Sequence, residues 1–254
     1  MLGLSELKRT AAKEGVPQGT IEKDYVLSVA LNAVAESEIS KYLAFKGGTA
    51  IKKVYFQEAR FSEDLDFAVL SGLTKEDILR KLNETLGDKE IEGIRFGKFG
   101  EEKTSAGLKA SVKFTGPLMH EQRVRFDFSF RENLVREPTR KTLIDSYKLG
   151  SHEVLVLRLE EIFAEKIHAL GSRAAPRDLY DVWFLLKKGV LLDMELLEKK
   201  FAYYGEKFEK DKIEANVRQM EESWKRDLER LVKDLPEFEI VAQEVKERIQ
   251  QPRP

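Results

Sequence analysis

The sequence predicts an α+β fold. An N-terminal mixed sheet with flanking helices is followed by an all-helical domain. Three observations carry this expectation. Strand-like and helix-like stretches interleave up to about residue 158, and from Leu159 onward only helical periodicity remains. Hydrophobic residues make up 42% of the 254, enough to bury a sizeable core. Charged residues make up 35%, too many for a membrane-embedded chain. The expected domains are residues 1–158 and 159–254.

The elements follow in order. The first forty residues read as helices, with Val26, Leu27, Ala30, Leu31 and Val34 at helical spacing. Tyr42 to Lys46 reads as a short buried strand, broken by Gly47–Gly48, and Ala50 to Phe56 reads as helix. Leu65 to Leu70 is apolar with one acidic interruption and predicts a strand. Thr74-Lys75-Glu76-Asp77 fits a helix-capping pattern, Ile78, Leu82 and Leu86 share one face, and Gly87 sits where the helix should end. Three strands are expected next, at Ile94 to Lys98, Leu108 to Thr115 and Val124 to Phe130. In the last, Val124, Phe126, Phe128 and Phe130 should face the core, with Arg123, Arg125, Asp127 and Ser129 opposite. Glu153 to Leu157 adds one more. Residues 205–254 read as a charge-rich amphipathic bundle face.

Composition narrows the function. No apolar run approaches the ~20 residues of a membrane span. Glu6, Lys8, Arg9, Lys13 and Glu14 do not suit a signal peptide, so a cytoplasmic location without membrane partners is expected. The absence of cysteine excludes disulfides and thiolate metal sites, and three histidines leave little for an imidazole site. Lys and Arg number 44 against 45 Asp and Glu, so contact with nucleic acid would need a local patch. The stretch from Lys98 to Lys141 holds ten basic and six acidic residues. If Arg123, Arg125, Arg131, Arg136, Arg140 and Lys141 line one side, they could follow a phosphate backbone. An ordinary charged surface reads equally well there.

The most informative stretch runs from Phe45-Lys46-Gly47-Gly48-Thr49-Ala50 to Phe61-Ser62-Glu63-Asp64-Leu65-Asp66-Phe67. A Gly-Gly turn opening a helix exposes backbone N–H groups at the positive end of the helix dipole, which suits a phosphate. Taken alone, such a turn more often just redirects the chain. Asp64 and Asp66 lie two apart on a predicted strand, so both carboxylates point to one side. Such a pair is costly on a half-buried strand unless a cation sits between, and hard oxygen ligands suit Mg²⁺. Alone, the pair also reads as a strand end facing water.

The helical half supplies a second cluster. Leu159, Ile162, Phe163, Ile167 and Leu170 define a buried stripe, and Lys166 falls within it. Lys166 must snorkel out or meet an anion. Arg173 lies seven residues on, on the same side. Pro176 suits a first helical position. Leu179, Val182, Trp183 and Leu186 should be buried, while Asp178 and Asp181 share a neighbouring face. Asp178 is also placed to pair with Arg177 or Lys166. His168 reads as packing rather than as a ligand.

In combination these motifs are far more specific. Gly-Gly-Thr, a helix, then Ser-x-Asp-x-Asp resembles the signature of the nucleotidyltransferase superfamily with the polymerase-β-like fold. Leu159-Glu160-Glu161, Glu165-Lys166 and Arg177-Asp178-Leu179-Tyr180-Asp181, with the early Ile21-Glu22-Lys23-Asp24-Tyr25, resemble one branch of it. That branch is the AbiEii/AbiGii toxin family, which includes the MenT-like toxins, from abortive-infection and toxin–antitoxin systems. The resemblance covers about residues 20 to 190. It implies that Gly47, Gly48 and Thr49 cradle the phosphates of an NTP, with Ser62 close by. Asp64 and Asp66 would hold Mg²⁺, two ions in all. Asp127, by superfamily logic, would be the third metal carboxylate. Lys166 would contact the triphosphate, with Arg173 as a second contact, and Asp178 would complete the catalytic group from the helical domain. The implied reaction moves NMP from an NTP to an RNA hydroxyl, the acceptor end of tRNA in some members, and a cognate antitoxin protein is implied as partner. A protein or small-molecule acceptor, or a nucleotide-binding module without turnover, are the alternatives the sequence leaves open.

Overall fold

The computed structural model describes residues 1–70, 72–102, 107–130 and 134–250. The chain divides into two compact units, one of residues 1–132 and 138–157, the other of residues 133–137 and 158–254.

The first unit opens with helices α1 (Leu4–Glu14) and α2 (Gln18–Glu36), then strand β1 (Leu43–Lys46). A short helix α3 (Gly47–Ala50) continues into a wider turn over Ile51–Tyr55. Strand β2 (Asp64–Val69) and helix α4 (Lys75–Thr85) follow, then β3 (Glu90–Ile91), β4 (Ile94–Glu102), β5 (Leu108–Thr115), β6 (Glu121–Ser129), β7 (Thr139–Thr142) and β8 (Glu153–Val156). The eight strands form one sheet in the order β3-β4-β5-β6-β2-β1-β8-β7. Pairing is antiparallel except at β2–β6 and β1–β8, which are parallel.

Alternation explains the sheet's two faces. Phe45, Phe67, Phe126 and Phe128 point to the buried side. Phe45 meets Phe67 at 5.4 Å and Phe67 stacks on Phe128 at 5.5 Å across neighbouring strands, and Phe99 of β4 meets Phe126 edge-on at 5.1 Å across β5. A one-residue slip of β6 would put Phe126 and Phe128 in water, so these two rings fix its register. The expected capping box at α4 is present, with the Asp77 amide donating to Thr74 Oγ1 at 3.1 Å. Two expectations need correction. Phe130 does not continue the inward row: β6 stops at Ser129, its pairing with β5 ends at Phe128, and Phe130 is 37% exposed. Strands β3 and β7 were not expected, because two residues show no period and Thr139-Arg140-Lys141-Thr142 has no apolar alternation.

The second unit holds α5 (Leu159–Ser172), α6 (Pro176–Lys187), α7 (Met194–Tyr203), α8 (Lys210–Arg218), α9 (Glu221–Leu228) and α10 (Phe238–Gln250). Pro176 occupies the first turn of α6, where its missing N–H costs nothing. The buried stripe of α6 is Leu179, Val182 and Leu185 rather than one through Trp183 and Leu186. Trp183 turns toward the edge because its indole N–H donates to Glu244 Oε2 at 2.7 Å. The charged tail buries Ile213, Val217, Trp224, Leu228, Val241, Val245 and Ile249 and leaves most of its charges outside.

One buried ion pair ties this unit together. Glu161 and Lys200 are both nearly inaccessible and lie 2.5 Å apart. Glu161 also accepts from the backbone N–H groups of Val135 and Arg136, at 3.1 and 3.2 Å. Replacing Glu161 by Ala removes the nearer of two carboxylates at buried Lys200, leaving Glu165 at 3.3 Å, and strands two amides. Urea denaturation followed by circular dichroism should show a loss of about 3–5 kcal/mol.

Candidate active site

Strand β1 ends at Lys46, in extended conformation, and Gly47 turns the chain at φ +76 into α3. A side chain at Gly47 would be strained by that angle, and its Cβ would lie 2.2 Å from Asp66 Oδ2. The glycine thus brings backbone directly against a strand carboxylate. Thr49 Oγ1 donates to the Asp64 carbonyl at 2.5 Å and ties the start of α3 to β2.

The polar face of the sheet is built by register. Asp66 stands opposite Lys46 on one side and Asp127 on the other. Asp127 in turn stands opposite Lys109, whose Nζ is 3.4 Å from Asp127 Oδ2. One row therefore reads Lys46, Asp66, Asp127, Lys109. In the next row Asp64 faces Arg125. Asp64 Oδ1 and Asp127 Oδ1 are buried with no hydrogen-bond partner. Burial pushes the Asp64 carboxyl up; Lys23 opposes this, while Glu63 and Asp127 add to it. Ser62, buried just before β2, lies 3.5 Å from Arg60 Nη1.

Orphaned, buried carboxylate oxygens on one strip are a donor set that suits a hard cation. Among the described residues no three His, Asp or Glu side chains gather into a metal-sized group. The expected three carboxylates line the strip without closing into a cage. Asp64, Asp66 and Asp127 still fit Mg²⁺, which takes one or two carboxylates and completes its shell with water and substrate phosphates.

Lys166, Arg173 and Asp178 belong to the second unit. Lys166 lies 2.8 Å from Asp178 Oδ1 and 2.8 Å from Asp181 Oδ2, so it meets anions rather than snorkelling. Arg173 Nε donates to Asp178 Oδ2 at 2.8 Å. Burial works against the Asp178 charge, but Lys166 and Arg173 outweigh it and hold the carboxyl at about 2. Asp181 was missed as a site candidate. Its signal was the three-residue spacing from Asp178, which puts both on one helix face toward Lys166. His168 packs as expected, 4.9 Å from the Phe201 ring and 4.4 Å from Tyr204.

The basic stretch does not form one strip. Arg123 and Arg125 lie on β6 and share Glu102, at 3.8 and 3.5 Å. Arg140 and Lys141 lie on β7, which β2, β1 and β8 separate from β6. Arg136 is in the other unit, held by Asp193 and Glu160. Arg131 lies outside the described residues. Closeness in sequence did not become closeness on the sheet because the strand order is not sequential.

A family model described as "Nucleotidyl transferase AbiEii toxin, Type IV TA system" matches residues 29–248. The chain belongs to the AbiEii family. This AbiEii protein is a nucleotidyltransferase, the toxin type of a type IV toxin–antitoxin system. Its fold is similar to that of MenT4, a nucleotidyltransferase toxin from Mycobacterium tuberculosis H37Rv, with TM-score 0.74 and 19% identity over 96% of this chain and 87% of that one. An antigenic nucleotidyltransferase-like protein from Paracoccidioides brasiliensis matches at TM-score 0.47 and 16% identity, over 84% of this chain and 94% of the other. No curated protein matches the sequence. Among the described residues no helix is long and apolar enough to cross a membrane.

Two outcomes follow from this geometry. Gly47→Ala should lower nucleotidyl transfer by about 100-fold or more, because it displaces Asp66. Circular dichroism should show the sheet retained. Asp178 has a folded pKa below its ordinary 3.8, so its contribution to stability is complete above that value and is lost as pH falls toward about 2. It amounts to about 2 kcal/mol. Urea midpoints between pH 5 and pH 2 should fall less in Asp178→Asn than in the native protein.

Proposed function

We propose that this AbiEii protein transfers NMP from an NTP to an RNA hydroxyl, the acceptor end of tRNA being the preferred target. The observation that carries the chemistry is the strip of Asp64, Asp66 and Asp127 with Gly47 pressed against Asp66. Phosphates are negative and so is the strip, so a cation must stand between them.

Asp64, Asp66 and Asp127 would hold Mg²⁺. When bound, Mg²⁺ neutralises the phosphates and the charge that develops on the attacking and leaving oxygens. The chain's own groups do the positioning. Gly47, Gly48 and Thr49 present the N–H groups of a first helical turn to the triphosphate. Thr49 holds that turn against β2, and Ser62 stands at the strand's start. The family resemblance assigns Lys166 to the triphosphate, with Arg173 as a second contact, and Asp178 orients Lys166 from 2.8 Å. The acceptor hydroxyl attacks the α-phosphorus, the bond to the β-phosphate oxygen breaks, and pyrophosphate leaves. The hydroxyl proton is released to water. Fixed positioning and charge supply most of the rate.

An RNA acceptor is favoured by Arg123 and Arg125, which stand on β6 beside the carboxylate strip. The cytoplasm, where NTP and tRNA are abundant, is the fitting place, and a cognate antitoxin completes the system. The test is a transfer assay with Mg²⁺, each α-labelled NTP in turn, and total tRNA. Label should appear on RNA with one preferred NTP and vanish in Asp64→Ala. Label on protein instead would reassign the acceptor, and nucleotide binding without pyrophosphate release would make the protein a binding module. RNA binding should weaken steeply as salt rises, and a gel-shift titration at two salt concentrations would check this.

A further inference from the structure

The row Lys46, Asp66, Asp127, Lys109 sets two anions between two cations, so these four side chains balance before any metal arrives. A divalent cation beside Asp66 and Asp127 adds two positive charges to that row. Like charges at such spacing repel, so an ammonium already there must give way. The two lysines are placed differently. Lys46 ends β1, where Gly47 turns the backbone against Asp66. Lys109 lies on β5 with its side chain 46% exposed, and its Nζ stands 3.4 Å from Asp127 Oδ2. Full-strength contacts between an ammonium and a carboxylate run to about 2.7–2.9 Å, so this one is loose.

The Asp127 side chain is 34% exposed, while its Oδ1 is buried. Oδ2 is therefore the oxygen that faces solvent, and Lys109 stands against it. A hydrated cation arriving at Asp127 meets the ammonium at that atom. The ammonium has a second carboxylate within its row. Glu102 of β4 stands directly opposite Lys109, on the side away from Asp127. Glu102 Oε1 lies 3.5 Å from Arg125 and 3.8 Å from Arg123, both loose contacts as well. The flexible four-carbon stem lets the lysine head swing from one acid toward the other without moving the strand.

We propose that Lys109 is a displaceable counter-ion of the metal site: it covers the solvent-facing oxygen of Asp127 in the metal-free protein and yields it to the divalent cation. Lys109 thus sets the concentration at which metal enters the strip. It is not a metal ligand, and it acts through Asp127. This rests on the reading above that Asp64, Asp66 and Asp127 are the metal carboxylates.

The probe is Mn²⁺ alone, which takes an octahedral oxygen shell as Mg²⁺ does, with no nucleotide present. Electron paramagnetic resonance reads the free ion, so the dissociation constant is obtained without an activity assay. Ionic strength is held constant. The full chain should bind Mn²⁺, and Asp64→Ala should lose that binding. Lys109→Gln should bind about 5–10-fold more tightly, because the competing charge is gone. Lys109→Arg keeps the charge and should bind no more tightly than the native protein. Lys113→Gln removes the same charge from the same face of β5, where Lys113 pairs with Glu121 at 2.7 Å. Four residues of strand span about 13 Å, beyond the screening length at 0.15 M salt, so this variant should stay within about twofold of native. No tightening in Lys109→Gln, with binding still lost in Asp64→Ala, overturns the counter-ion and leaves the metal carboxylates standing. Equal tightening in Lys109→Gln and Lys113→Gln makes the effect one of net charge and overturns it too. Mn²⁺ binding that survives Asp64→Ala, or no binding in any variant, overturns the metal carboxylates and the counter-ion together.

Discussion

The parallel pairing of β2 with β6 is the constraint on which the carboxylate strip depends. It sets Asp66 beside Asp127 and Asp64 beside Arg125. Like charges on neighbouring strands repel, so the Asp66–Asp127 pairing opposes the arrangement. What holds it is the opposite face of the same strands. Phe67 and Phe128 stack there, and Phe126 is wholly buried. The aromatic face makes the register, and the acidic face inherits it. Lys46 and Lys109 then flank the two acids across the row and lower the cost.

The two units treat buried charge differently. In the helical unit, Lys166 stands between Asp178 and Asp181, and Arg173 takes the remaining Asp178 oxygen. That network is satisfied in the free protein and holds its geometry. In the sheet unit, one oxygen of Asp64 and one of Asp127 lack partners. A satisfied network resists rearrangement; an unsatisfied one gains by taking a ligand. Unmet carboxylate oxygens thus stand on the sheet strip, and the helical cluster is a fixed electrostatic fixture.

Much of this was legible in the sequence, for identifiable reasons. Period-two alternation from Val124 to Phe128 declared both faces of β6, and so placed Asp127 on the polar side. Gly47–Gly48 marked a turn that only glycine could make against Asp66. The Thr74–Asp77 box announced α4. What stayed hidden was non-local. No pattern in Thr139 to Thr142 says that it pairs with β8, and no local signal says that Glu161 is buried on Lys200. The basic stretch looked like one patch because a sequence is read in one dimension, whereas β6 and β7 lie four strands apart in the sheet's order. Trp183 was expected in the core by its hydrophobicity, and the need of its N–H for Glu244 moved it outward.

The outermost strands have a consequence for the protein in a crowded solution. At one border β3 offers only two residues, and at the other β7 presents the exposed cations Arg140 and Lys141. A short border gives an incoming strand little to pair with, and a cationic one repels its own copy. An open eight-stranded sheet is thereby kept from growing by strand addition.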